Sequence, residues 1–274
     1  MLKLYRRLAG RGLSRWFPTN FFARKTVRNM TGDVYAQVQG FQMKVPIEQD
    51  HGMVLYVKGI YEPAVTKFIQ FFLKEEQTFV DVGACLGYYS LLASQIVGEK
   101  GRVLAFEPEM TNFDYLYHNV ALNDCQNVRI LNCAASDQQG LANLHISNRH
   151  IGCHSLFYSK RSGHTQNARV VDIMPIDKCI DRVDMVKIDV EGWEYYVLKG
   201  MESFFQKSEN PIIVIMEYCP SLLQENLLLW ENLLAFLTRY ATKTAVIDEK
   251  HKRLQDVSPH QLRELEDRVN VLFW

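Results

Sequence analysis

The stretch Thr78-Phe-Val-Asp-Val-Gly-Ala-Cys-Leu-Gly-Tyr-Tyr-Ser90 reads as a buried strand that ends on Asp81, turns through Gly83 and Gly87 and enters a helix. Tyr88, Leu91, Leu92 and Ile96 begin a helical apolar stripe directly after the turn. Open α/β sheets place nucleoside-sized ligands against turns of this kind. The fingerprint that binds a pyrophosphate, started at Gly83, requires glycine at Cys85 and Tyr88, and both positions fail. What stands here is D-x-G-x-x-x-G. A tight turn with a purely structural role is the competing reading, so the neighbouring strands have to decide.

Strand and helix patterns alternate around this turn, as in a parallel sheet with right-handed crossovers. Val65, Phe68, Ile69, Phe72 and Leu73 recur at helical spacing behind Pro63. Strands are expected at Arg102 to Phe106, Val128 to Cys133, Val183 to Asp189, Ile212 to Glu217 and Lys243 to Asp248, with a last strand at Asn270 to Trp274. Helices are expected from the turn to Val97, across Phe113 to Leu122, through Trp193 to Leu198, and as one Leu-rich segment from Leu222 to Tyr240. The fold expected is α/β and Rossmann-like, a mostly parallel seven-stranded sheet with helices on both faces. Ahead of it, Tyr35 to Gln39 and Met53 to Val57 read as short strands of a small lobe, and the chain divides into residues 1–60 and 61–274. About fifty residues before Val183 match no crossover. Alternation at Ala142 to Ile146 and Arg169 to Ile173 predicts an inserted β-hairpin whose tip, Asn148 to Thr165, reaches over the site.

Ligand sites in such sheets open at the carboxyl ends of the strands. The first strand delivers Asp81. The second ends Ala105-Phe106-Glu107-Pro108, and Glu107 stands 24 residues past Gly83, where an acidic residue receives both hydroxyls of a ribose. The third ends near Ser136 and Asp137, a carboxylate beside small residues that suits an adenine amino group, although Ser-Asp is also ordinary turn chemistry. The fourth presents Lys187 and Asp189 on one face with Glu191 just beyond, and the fifth presents Glu217. A carboxylate at Asp81 repels a diphosphate and suits a cationic amino-acid group; S-adenosylmethionine carries an ammonium, a sulfonium and no phosphate.

Phe79-Val-Asp-Val-Gly-Ala-Cys-Leu-Gly-Tyr-Tyr-Ser, Ala-Phe-Glu-Pro and Val-Lys-Ile-Asp-Val-Glu-Gly-Trp-Glu together resemble the FkbM family of S-adenosylmethionine-dependent methyltransferases, over roughly Tyr61 to Tyr218. The Lys-Ile-Asp-Val-Glu-Gly stretch is the specific part; the acidic glycine turn by itself indicates only the wider class I methyltransferase fold. The resemblance implies O-methylation of a hydroxyl on a sugar or polyketide-like small molecule, with Asp81, Gly83 and Gly87 at the methionine end of the cofactor and Glu107 on the ribose. Ala84, Cys85, Tyr88 and Pro108 lie in the same stretches and complete the expected cofactor contacts, with Cys85 standing where such turns commonly carry Asn.

Methylating an alcohol requires a group that orients the hydroxyl and accepts its proton. Asp189 is the expected base, tuned by Lys187, with Glu191, Glu217 and the hairpin residue His154 as rivals. The dull reading of the same charges is an ion pair of Lys187 with Asp189 or Glu191. Asp189 and Glu191 could hold Mg²⁺ jointly with substrate hydroxyls, although octahedral oxygen sites have no diagnostic spacing.

Composition bounds the rest. The 274 residues are 47% hydrophobic, as in ordinary globular proteins, and no run approaches the length of a membrane span. Six cysteines without a C-x-x-C pair fit reduced core thiols and a cytoplasmic setting. The zero net charge conceals a basic arm: residues 1–32 hold eight Lys and Arg side chains and no acidic one, interleaved with aromatic and aliphatic residues. Peripheral contact with an anionic membrane, a partner surface, an organelle transit signal, or simple packing on the chain's own domain are the readings open for it. No pattern indicates nucleic-acid recognition. A nicotinamide-dependent oxidoreductase is disfavoured by the turn, and a non-catalytic binding protein on the same fold is the alternative from another class.

Overall fold

A computed structural model of the chain describes Val27 and residues 30–274. The basic arm therefore lies, up to residue 26, outside the described residues. A hairpin of β1 (Asp33–Val38) and β2 (Phe41–Pro46) opens the described chain, followed by α1 (Asp50–Lys58) and α2 (Pro63–Phe72). Then come β3 (Thr78–Val82), α3 (Tyr88–Val97), β4 (Arg102–Phe106), α4 (Met110–Leu122) and β5 (Val128–Leu131). A three-stranded insertion of β6 (Ala134–Ala135), β7 (Gly140–Ser147) and β8 (His164–Met174) precedes β9 (Met185–Ile188). The chain continues through α5 (Glu194–Lys199), α6 (Glu202–Lys207), β10 (Ile213–Tyr218), α7 (Pro220–Leu223), α8 (Leu227–Tyr240), β11 (Thr244–Asp248), β12 (Arg253–Asp256) and β13 (Val269–Phe273).

The main sheet has the order β12-β11-β13-β10-β9-β3-β4-β5. From β10 to β5 all neighbours are parallel, and β13 enters antiparallel between β10 and β11. Chain order runs from β3 outward to β5 and then jumps back to β9 on the other side of β3, so a crevice opens where β3 and β9 diverge. The central strands are buried on both faces, which explains their unbroken apolar runs: Val80, Leu104, Val186 and Val214 are each 1% exposed or less. Each such side chain contributes roughly 1.5–3 kcal/mol through burial.

Among the described residues the main sheet has eight strands, one more than the seven expected, because Arg253–Asp256 folds back on β11 as an antiparallel edge. Met53 to Val57 is helical rather than extended. Leu55 and Val57 are buried, but Asp50 stands in the first turn and Gly59, at φ +67, closes the helix as its C-cap. The Leu-rich segment is two helices, since the Asn226 side chain accepts from the Leu229 amide and starts a new one. The lobe of β1, β2 and α1 is continuous with the main core, where Ala36, Met43 and Leu55 cluster with Val65, Ile69, Phe79 and Leu91. Asn119 on α4 fixes it further, accepting from the Lys44 amide at 2.7 Å and donating to the Leu86 carbonyl at 2.9 Å. The expected hairpin is present as β7 and β8, antiparallel from Gly140 opposite Ile173, with β6 as its third strand.

Candidate active site

Gly83 is the point where the two halves of the sheet meet. It stands at φ +80, and a Cβ added there would lie 2.0 Å from the Asp189 carbonyl oxygen, so the β3 and β9 termini touch through backbone alone. Gly83 and Ala84 donate to the Phe106 carbonyl, and the Cys85 amide donates to Glu107 Oε2 at 2.8 Å. The turn after β3 is thus fastened to the tip of β4. Gly87, at φ +89, lies against Leu116 of α4 and starts α3.

Two compartments open on either side of this turn and share Gly83, Cys85, Gly152 and Asp189 in their walls. The narrower, about 40 Å³, is lined by Phe106, Glu107, Pro108, Ala134, Ala135 and Trp193, and is covered by the hairpin tip from Ile151 to Leu156. The wider, about 260 Å³, is lined by Asp81, Tyr88, Tyr89, Glu217 and Arg268, together with His51 and Tyr61 of the N-terminal segment. A larger hollow, about 1250 Å³, lies at the opposite ends of β4 and β5, away from every expected site residue.

Asp81 is 1% exposed, accepts from Ser90 Oγ at 2.6 Å, and has its pKa pushed up to about 6 by burial, against the opposing pull of Ser90 and Lys187. Burial likewise raises Glu107 to about 7, although the amides of Glu109 and Cys85 each donate to one of its oxygens. Both carboxylates are held by short bonds at the tips of adjacent strands, one per compartment. Ser136 and Asp137 fall outside both walls: Ser136 accepts from Trp193 Nε1 at 3.3 Å and Asp137 is exposed, while Ala134 and Ala135 face the narrow compartment in their place. Residues not foreseen there are Asn112, which donates to the Ile151 carbonyl at 2.8 Å and ties down the hairpin tip, and Trp193, stacked on Tyr196 at 4.1 Å. Ser155 fastens the other side of the tip by donating to the Val190 and Glu191 carbonyls.

In the wider compartment the expected acid-base residues come together in two charge clusters. Fully buried Lys187 donates to Asp189 Oδ2 at 3.2 Å and lies 5.6 Å from the Tyr89 ring centroid. Burial disfavours its charge, but Asp189, Glu62 and Glu217 outweigh that and hold the ammonium protonated. Arg268 forks onto both oxygens of Glu191, at 2.7 Å each, and reaches Glu217 at 2.8 Å. Burial, Asp189 and Glu191 push the Glu217 pKa up against that guanidinium. His154 lies in the narrow compartment instead, its Nδ1 accepting from the Ser147 amide, and burial lowers its pKa. One oxygen from each of Asp189, Glu191 and Glu217 lie within 4.8 Å of one another. The set nevertheless does not fit Mg²⁺, because Arg268 already takes two of the three carboxylates with the bidentate geometry a guanidinium prefers.

The methyltransferase FkbM domain matches residues 81–244. Methyltransferase sdnD of Sordaria araneosa is 28% identical over 171 residues, which span 50% of this chain and 66% of that protein, just under two thirds of its length. Among solved structures, the chain is similar to methyltransferase FkbM from Methylobacillus flagellatus KT, at 15% identity and a TM-score of 0.44, covering 93% of this chain and 59% of that one. It is also similar to an S-adenosylmethionine-dependent O-methyltransferase from Thermotoga maritima, at 15% identity and a TM-score of 0.43, covering 78% of this chain and 66% of that one. The family match takes in the acidic glycine turn, Glu107, the covering hairpin and the Lys187 to Glu191 strand end, and by it the chain belongs to the FkbM family of S-adenosylmethionine-dependent methyltransferases.

Proposed function

We propose that the chain methylates a hydroxyl of a sugar or another small natural-product-like molecule. The observation that carries this reading is the pairing of Asp81 and Glu107 on the two sides of one glycine turn, each in the wall of one of two compartments that share Gly83, Cys85, Gly152 and Asp189. When bound, S-adenosylmethionine supplies a methyl group on a positively charged sulfur, already activated for transfer. Glu107 would accept from the ribose hydroxyls, with Ala134, Ala135 and Trp193 against the base, and Asp81 with the turn amides would hold the amino-acid end. The hairpin tip forms part of both walls, and where it covers bound cofactor it would shield the charges inside from water and strengthen their interactions. The acceptor's place is the remainder of the wider compartment, between Tyr61, Tyr88 and Tyr89 on one side and the Asp189 and Arg268 clusters on the other. Aromatic faces beside hydrogen-bonding charges suit a polyol or a phenolic ring.

Calorimetry against S-adenosylhomocysteine and NAD is the first test: micromolar binding of the former, no binding of the latter, and loss of binding in Asp81→Ala are expected. Transfer of labelled methyl from S-adenosylmethionine to monosaccharides and phenols tests the second half. Methyl transfer to nitrogen or carbon acceptors alone would overturn the O-methylation reading.

A further inference from the structure

The wider compartment contains a base that the reading above gives no task. His51, on α1, places Nε2 2.8 Å from the Tyr61 hydroxyl, with the rings 5.0 Å apart. Its Nδ1 is shut off from solvent and meets no hydrogen-bond partner in the protein. A buried nitrogen left so costs about 1–3 kcal/mol and calls for a partner; of the four such atoms among the described residues, only this one belongs to a wall residue of the wider compartment. Gly152 of the hairpin tip comes close to the ring: a Cβ there would come within 2.6 Å of Cε1 and 3.4 Å of Nδ1. Both residues belong to the wall that also contains Asp81, Gly83 and Asp189, where the reactive methyl is expected.

The charges around the ring come from four elements. Asp50 stands on its own helix, Glu62 precedes α2, His150 lies on the tip, and Asp189 follows β9. Burial lowers the imidazole pKa, so the ring is neutral at pH 7, while Asp189 and Glu62 favour the imidazolium once it forms. The carboxylates first in line for the same task already serve as counterions, Asp189 to Lys187, and Glu191 and Glu217 to Arg268.

We propose that His51, oriented by Tyr61, takes the proton from the acceptor hydroxyl. This rests on the O-methylation reading above. Tyr61 accepts from Nε2–H, which leaves the Nδ1 lone pair for the acceptor. The acceptor's O–H bond breaks and an N–H bond forms on His51, while the O–CH₃ bond forms as the methyl–sulfur bond breaks and its electron pair stays on sulfur. The positive charge that leaves the sulfur thus reappears on the imidazolium, inside the same acidic wall. His51 and Tyr61 lie outside the matched residues 81–244, so the assignment concerns this chain's own lobe.

Nitrogen-15 NMR of histidine-labelled protein saturated with S-adenosylhomocysteine at pH 7.5 tests this without an acceptor. The Nε2–H tautomer with a bare Nδ1 is expected for His51; a protonated Nδ1 overturns the proposal. On the best hydroxyl acceptor of a monosaccharide and phenol panel, His51→Gln should lose about 100-fold or more in kcat. It should keep S-adenosylhomocysteine affinity within about twofold, and lose the acid limb of the kcat profile. Tyr61→Phe should retain that limb with a loss of about tenfold. Unchanged turnover in His51→Gln, or an affinity loss equal to the turnover loss, removes His51 from the role. Wild-type protein that binds S-adenosylhomocysteine yet methylates no hydroxyl would sink the O-methylation reading instead, and the tautomer would still decide whether Nδ1 can accept.

Discussion

The two compartments differ in where their walls come from. Every residue of the narrow one lies between Val82 and Trp193, inside the span that matches the family. The wide one takes Asp50, His51, Leu55 and Tyr61 from before that span and Arg268 from after it. On the proposed reading, cofactor recognition falls to the shared sheet, and the acceptor's wall combines family residues such as Tyr88, Tyr89 and Asp189 with His51, Tyr61 and Arg268 from outside the matched span. A relative could keep the first half intact while methylating a different molecule.

Gly83 belongs to both walls, so Gly83→Ala should break both halves at once. With the Asp189 carbonyl 2.0 Å from the new Cβ and φ at +80, the turn cannot stay where it is. S-adenosylhomocysteine affinity should drop more than about 100-fold by calorimetry, with a destabilisation of at least about 2 kcal/mol in urea. Arg268→Met should separate the halves. It leaves Glu191 and Glu217 buried without a counterion, at a cost of about 2–4 kcal/mol in urea that shrinks on acidification. Cofactor affinity should change less than about fivefold, and a larger change would show that the compartments are not independent.

Acidity supplies a milder probe of the cofactor half. In the folded chain Asp81 titrates at about 6 and Glu107 at about 7, above their ordinary values of 3.8 and 4.5. The folded state holds these protons more tightly than the unfolded one. Their contribution to ligand-free stability is therefore full below about pH 4 and lost as pH rises through 6 to 7. Binding runs the other way, since ribose hydroxyls need the ionised Glu107. S-adenosylhomocysteine affinity should fall about tenfold from pH 7.5 to 6, with proton release visible in buffers of different ionisation enthalpy. The smallest effect is expected at Asp137. Asp137→Ala should leave cofactor affinity within about twofold, and a large loss would place that carboxylate on the adenine after all.

The sheet was legible because strands buried on both faces declare themselves as apolar runs, and the glycine turn declares its backbone geometry. The lobe was legible only in part. Phe41, Met43 and Val45 alternate inward in β2, which is not among the expected strands, while Leu55 and Val57 imitate alternation inside a helix. His51 and Arg268 carry no local signature, since their roles arise from contacts far along the chain: Gly152 is 101 residues from His51, and Glu191 and Glu217 are 77 and 51 residues from Arg268. Strand-end carboxylates, by contrast, are placed by periodicity alone.

Arg268 directly precedes β13, which slots between β10 and β11, two strands made earlier. The counterion of Glu191 and Glu217 therefore comes from a segment that follows both in the chain, and reaches them with the interior strand in place. A chain ending before residue 268 would contain every wall residue of the narrow compartment and lack the guanidinium of the wide one, and on the proposed reading it would bind cofactor without a finished acceptor site.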